Sequence, residues 1–201
     1  MAGIFGGGAV LLAICLAAAP VWLPLVGRCL VLAGSDATLS DATADVLGIP
    51  DSAWLSSSIG VDRVLFASGW IRSGRAKVVV MTCEAVYGIS GCEMAQRELD
   101  ATGQPRLPLR EVHLPSSPTP VEAAALLAEV SRLGAKSAVI LVDPLTSRRS
   151  NRVYQREGMK RGIQVRVLYA PVAGFRAADW WRTREGRKAV VYELCQWIGF
   201  P

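Results

Sequence analysis

Histidine is nearly absent, since the chain of 201 residues contains only His113. One imidazole cannot build a histidine-rich metal centre, and His113 lies in an apolar-flanked run that reads as a strand, where a packed or edge role outweighs proton transfer. The five cysteines, Cys15, Cys29, Cys83, Cys92 and Cys195, show neither CxxC spacing nor neighbouring histidines, so no metal site is expected and no cofactor is indicated. Cys15 and Cys195 sit in apolar surroundings and read as small buried hydrophobes. Cys83 and Cys92 flank a loop; an oxidising compartment would favour a bridge between them, and the odd count leaves both states open. Internal repeats and recognised nucleic-acid-binding motifs are missing, so no nucleic-acid partner is expected.

Charge is missing from one region in particular: between Ile4 and Gly27 there is no Asp, Glu, Lys, Arg or His. About 24 residues at the α-helical rise reach on the order of 36 Å, enough to cross a bilayer's hydrocarbon core. The expectation is an uncleaved transmembrane anchor over residues 1–28, followed by one domain over 29–201. Signal cleavage after Ala17-Ala18-Ala19 is the weaker alternative, because the first nine residues hold no Lys or Arg and Pro20 would follow the cut. A buried core helix would need a polar side to show water, and this segment has none. The remaining length suits one core. The formal charge of +5, with arginines crowded between Arg148 and Arg187, suits anionic partners or a solvated basic face.

Beyond Arg28 the apolar run Cys29–Ala33 and a second candidate strand around Ala42–Leu47 are weakly patterned. From Asp62 the signals sharpen. A helix through Val64, Leu65, Ala67 and Ile71 ends near Gly74, and Ala76–Met81 follows as a buried strand. Then come a helix from Glu93 to Ala101, a strand Arg110–Leu114, an alanine-rich helix Val121–Leu133, a strand Ser137–Val142, a basic helix Ser147–Gly158, a strand Val165–Tyr169 and a terminal amphipathic helix Trp180–Ile198. Strands alternating with helices predict an α/β fold, a Rossmann-like parallel sheet with helices on both faces.

In such sheets ligands bind beyond the carboxyl ends of the strands, which draws attention to Thr82-Cys83-Glu84, Pro115–Thr119 and Asp143–Arg149. The run Val142-Asp143-Pro144-Leu145-Thr146-Ser147-Arg148-Arg149, the helix start Thr119-Pro120-Val121-Glu122-Ala123, the helix opened by Asp62-Arg63 and closed by Ser73-Gly74-Arg75, the helix opened by Glu93, and the tail Trp180-Trp181-Arg182 with Glu193 occur in an order that resembles the YdcF-like family of SanA/ElyC-type envelope domains, over roughly residues 41–200. The resemblance implies a bacterial inner-membrane protein with a single pass and an extracytoplasmic domain. It further implies a crevice for a small anionic or nucleotide-like ligand and a role in cell-envelope biogenesis or barrier maintenance, with the lipid bilayer as a partner. Two departures stand out. Met81-Thr82-Cys83 replaces the family's glycine-rich turn, which removes close backbone approach to an anion, and Thr146 replaces its histidine, which removes a proton-transfer group. A non-catalytic scaffold that keeps the fold is therefore the alternative.

The candidate ligand-binding residues are Arg63, Glu93, Thr119, Glu122, Asp143, Thr146, Arg148 and Arg149. Thr119 either caps its helix or offers its hydroxyl to a phosphate or carboxylate. Asp143 follows an apolar strand, where ligand-binding acids and Asp-Pro turns both occur. Arg148 and Arg149 oppose the dipole of the helix they open, which calls for a compensating anion or carboxylate unless they face solvent. Arg63 and Glu93 are expected either to pair across the crevice or to lie on the surface. Trp180 and Trp181, with Arg182, Arg184, Arg187 and Lys188, suit a membrane interface or a cover over the sheet edge. No residue is assigned a catalytic role.

Overall fold

The computed structural model describes residues 18–50, 59–86, 89–115, 118–170 and 176–199. Five strands, β1 (Val46–Ile49), β2 (Val78–Cys83), β5 (Leu109–His113), β6 (Ser137–Val142) and β7 (Gln164–Tyr169), form one sheet in the order β5-β2-β1-β6-β7, and every pairing is parallel. A two-stranded antiparallel hairpin, β3 (Ala85–Val86) with β4 (Ile89–Ser90), leaves the end of β2. The central strands read as unbroken apolar runs because helices cover them on both sides, as parallel sheets require. On one face α2 (Ile59–Arg72) and α3 (Gly91–Ala101) bury Val64, Ala67, Trp70, Ala95 and Leu99 against Leu47, Val79, Met81 and Leu141. On the other face α4 (Thr119–Arg132) and α5 (Ser147–Arg161) bury Leu126, Leu127, Val130 and Tyr154 against Val46, Val80, Ile140 and Val167.

Strand β1 begins at Val46, later than the pattern Ala42–Leu47 suggests, because Asp45 is spent on a tie. Its carboxylate accepts hydrogen bonds from the Lys136 and Ser137 backbone N–H groups, both at 3.0 Å, and from the Ser137 hydroxyl at 2.9 Å, fixing the start of β1 against the start of β6. Gly48 in the middle of β1 admits close packing from α4. A Cβ there would lie 2.6 Å from Ile140 Cδ1 and 3.0 Å from Leu126 Cδ2. The first strand of the chain thus occupies the centre of the sheet, and the winding direction reverses between β1 and β6. Open parallel sheets of this kind bind ligands outside the carboxyl ends of the two strands at such a reversal.

Among the described residues no helix is long and apolar enough to cross a membrane, and Ile4 to Ala17, with Cys15, lie outside the described residues. Helix α1 (Ala19–Leu30), which includes the run Cys29-Leu30, has one side built into the domain. Leu23, Val26 and Leu30 pack with Leu145, Trp180 and Val190, and the Trp180 indole N–H donates to the Leu23 carbonyl at 2.8 Å. Gly27 sits so close to the loop before Trp180 that a Cβ would lie 2.1 Å from the Ala177 carbonyl oxygen. The spacing 23, 26, 27 and 30 is one helical face, so position rather than polarity decides which apolar residues are covered. Val21, Trp22 and Leu25 on the opposite side remain exposed.

The C-terminal end also departs from the sequence reading. Residues Trp180–Arg182 form a 3-10 turn, and α6 starts only at Arg184 and runs to Gly199, because the Thr183 hydroxyl accepts from the Gly186 N–H at 3.0 Å and caps a new helix. Cys29 and Cys195 are exposed thiols, so Cys195 is not the buried hydrophobe its apolar neighbours imply. Cys83 and Cys92 are joined by a disulfide with Cα atoms 5.4 Å apart.

Candidate functional site

Polar side chains are buried in one place above all, at and beside the strand ends where the sheet reverses. Asp143, the first residue after β6, is 8% exposed, and Arg63 from the first half of α2 is 4% exposed. The Arg63 guanidinium donates through Nη1 to the carbonyl of Pro50, the residue after β1, at 2.8 Å, and its Nε lies 3.8 Å from Asp143 Oδ1. Arg63 therefore spans the two strands that flank the reversal.

A second ion pair lies alongside. Arg149, on the first turn of α5, meets Glu193 of α6 through two hydrogen bonds of 2.7 and 2.9 Å, and its Nη1 donates to the Thr119 hydroxyl at 2.6 Å. The carboxylate that compensates an arginine at a helix N-terminus is thus Glu193. Thr119 is not the cap of α4, a position that Pro118 fills without a side-chain hydrogen bond; its hydroxyl oxygen is committed to Arg149. Towards the opposite side of the cluster, Glu122 of α4 and Thr82 near the end of β2 share a hydrogen bond of 2.6 Å, both buried.

Electrostatics tie these pairs together. Burial pushes the Asp143 carboxyl above its ordinary value; Arg63 opposes the rise and Glu193 adds to it. Burial likewise pushes the Tyr154 phenol well above its usual range, with Glu122 reinforcing and Arg63 and Arg149 opposing. The two arginines, Arg63 and Arg149, face three buried acids, Glu122, Asp143 and Glu193, so the cluster carries an excess negative charge unless an acid holds a proton. The direction of the Asp143 shift identifies it as the acid best placed to do so. Arg63 Nε, Asp143 Oδ1 and the Tyr154 hydroxyl are buried with no hydrogen-bond partner among the described residues.

Of the eight residues singled out from the sequence, Arg63, Thr119, Glu122, Asp143 and Arg149 share this buried cluster. Thr146 borders it, half-buried, with its hydroxyl 3.3 Å from the Asp143 carbonyl oxygen. Arg148 is half-exposed on the same turn as Arg149. Glu93 is elsewhere: it pairs with Arg97 at 2.6 Å on the exposed side of α3, one helical turn away, so the anticipated Arg63–Glu93 pair is replaced by Arg63–Asp143. His113 stands on edge strand β5 with its Nε2 3.1 Å from Glu111. Sequence reading missed Glu193 and Tyr154 as members. Tyr154 lies on the buried side of α5 with Ser150, a four-residue spacing that marks one helical face, whereas Glu193 stands among apolar and charged neighbours with no local cue. The aromatic tail serves packing, since Trp180 is buried edge-on to Trp181 with ring centroids 6.1 Å apart. No protein-family model, curated protein or solved structure matches the chain, so the YdcF-like likeness rests on the motifs quoted above.

Proposed function

We propose that the chain is a membrane-anchored envelope protein of the YdcF-like type whose crevice at the β1/β6 reversal binds a small anionic, nucleotide-like ligand. One observation carries this reading: Arg63 and Asp143 converge, buried, at the switch point of a parallel sheet, with donor and acceptor capacity that the described residues leave unused. Arg63 Nε supplies a charged donor for a ligand oxygen. A protonated Asp143 supplies a second donor, and Arg148 stands at the rim of the same helix start. The anchor in this reading is the apolar stretch from Ile4 to about Leu23, where α1 docks on the domain, and the exposed Val21, Trp22 and Leu25 side faces lipid.

Because the cluster already holds more carboxylates than arginines, an anion enters most easily when Asp143 is protonated, so binding should tighten as pH falls. The test is thermal stabilisation by inorganic phosphate, glycerol phosphate, nucleoside monophosphates and nucleoside diphosphates at several pH values. At about 100 times its Kd a true ligand adds about 2.7 kcal/mol, or about 5–10 °C in Tm for a domain of this size. Arg63→Gln should abolish the shift, and Asp143→Asn should keep it while removing its pH dependence. Failure of every anion to stabilise the wild type sinks the proposal.

A scaffold without chemistry is the second reading, favoured by the mutual satisfaction of Arg149, Glu193 and Thr119 and by Thr146 at the family's histidine position. Even where binding persists, loss of a positioned acid or base removes about 10²–10⁴-fold in rate. Turnover should therefore be negligible beside histidine-bearing relatives.

A further inference from the structure

The end of β2 carries a second constellation: Thr82 meets Glu122 of α4, while the next residue, Cys83, points the other way and is buried on the α2/α3 face. Cys92 sits in the first turn of α3, 0% exposed, and meets Cys83 there. The parallel register then adds the edge strand. Met81 is opposite Glu111 and Cys83 is opposite His113. Residues in register on adjacent parallel strands share a face, as do residues two apart on one strand. Glu111 and His113 therefore project on the side of the two sulfurs. The Cys83 Sγ, the Cys92 Sγ and a Glu111 carboxylate oxygen all lie within 4.8 Å of one another, and His113 Nε2 is 3.1 Å from Glu111 Oε2.

We propose that, once its disulfide is reduced, this cluster is a zinc site with Cys83, Cys92 and Glu111 as ligands and His113 as the fourth. Two sulfurs, a carboxylate and an imidazole are a donor set that Zn²⁺ takes in tetrahedral geometry. Glu111 and His113 are exposed, which gives an ion a path to sulfurs that are themselves buried. Linear spacing hides the site because its ligands come from β2, α3 and β5.

The two states exclude one another chemically. An external dithiol delivers two electrons and two protons, the Cys83–Cys92 bond breaks to two thiols, and the dithiol closes to its own disulfide. Zn²⁺ then displaces the two thiol protons and binds the thiolates. A small-molecule disulfide then takes up the two electrons and two protons to become two thiols, the Cys83–Cys92 bond re-forms and the ion is released. The crevice reading plays no part in this inference, and either can fail alone.

The test uses the full chain with Co²⁺ as a spectroscopic probe and Zn²⁺ as competitor, after reduction by a water-soluble phosphine. Reduced wild type should bind one Co²⁺ with thiolate charge-transfer absorbance and tetrahedral d–d bands, both abolished by stoichiometric Zn²⁺. The oxidised protein should show neither, an internal control free of any folding defect. Glu111→Gln and His113→Ala, exposed positions that leave the core intact, should each weaken Co²⁺ about 10–100-fold or more. Absence of thiolate absorbance in the reduced wild type overturns the site. A thiolate signal left unchanged by both substitutions overturns the ligand set.

Discussion

Glu193 and Arg149 meet across 44 residues of sequence through two parallel hydrogen bonds, Oε1 to Nε at 2.7 Å and Oε2 to Nη2 at 2.9 Å. The carboxylate is 1% exposed and the guanidinium 10%, so neither has water to fall back on. Removing one partner leaves a buried charge, which costs about 3–5 kcal/mol. Glu193→Ala and Arg149→Ala should each destabilise by that order in urea titrations. The pair Arg149→Met with Glu193→Leu should recover most of the loss, because two apolar side chains desolvate cheaply. A double variant as unstable as the sum of the singles would mean that the pair is not coupled.

Asp143 gives the opposite pH signature from the other shifted acids. Its carboxyl is held above the ordinary value by burial, so in the folded chain it keeps a proton at pH values where the unfolded chain has released one, from about pH 4 upward. Where the folded state binds more protons, stability falls as pH rises. The Asp143 contribution is thus fully present in acid and is lost as pH climbs through the folded pKa. Asp45, lowered chiefly by the Ser137 hydroxyl, and Glu157, lowered chiefly by hydrogen bonds from Lys160 and Arg161, contribute stability that disappears on acidification instead. Asp143→Asn deletes only the first effect. Its stability relative to wild type should increase as pH rises from about 4 through the folded pKa of Asp143, and a pH-independent difference would contradict the protonated assignment.

Gly27 marks where the apolar N-terminal segment becomes part of the domain. A methyl group there meets the Ala177 carbonyl and the Trp180 ring at 2.6 Å, and backbone cannot swing aside as a flexible side chain does. Gly27→Ala should cost about 1–3 kcal/mol by overpacking. Limited proteolysis should then reach α1 before the rest of the domain. Gly69→Ala is the matched control, since its Cβ meets nothing within 4 Å, and replacing a glycine inside a helix stabilises by about 0.5–1 kcal/mol. Equal effects at the two sites would show that α1 does not dock through Gly27.

The sheet was legible because periodicity reports burial directly: Ala138–Val142 is an unbroken apolar run, and Ser137–Val142 is an interior strand to the residue. The starts of α2 to α5 were legible within a turn for the same reason, while that of α6 was not. Asp143, Arg63, Thr119 and Arg149 were recognisable by place, as polar residues at strand ends or helix starts, where a parallel sheet gathers them. Their partners were not. Which carboxylate answers Arg149 depends on where α6 docks, and that placement is made by Val190 packing with Trp180 and Leu30, none of which signals its partner in sequence. The grouping of Glu111 and His113 with Cys83 was illegible for a related reason, since only the β2/β5 register sets them beside it.

Under the proposed membrane-anchored reading, the same cysteines test which compartment the domain occupies. The Cys83–Cys92 bridge closes a separation of 9 residues, and a loop of about that length contributes about 2–3 kcal/mol by restricting the unfolded chain. Cys29 and Cys195 are exposed and unpaired, so they are built-in controls for reagent access. If the domain is extracytoplasmic, as proposed, alkylation of acid-trapped cells should tag Cys29 and Cys195 at once and Cys83 and Cys92 only after reduction, and Cys83→Ser with Cys92→Ser should lower stability by the loop contribution. Tagging of all four without reductant would place the domain in a reducing compartment. The extracytoplasmic assignment would then be wrong, and the zinc-bound form becomes the state expected in the cell, recoverable as one equivalent of metal released when the purified protein is oxidised.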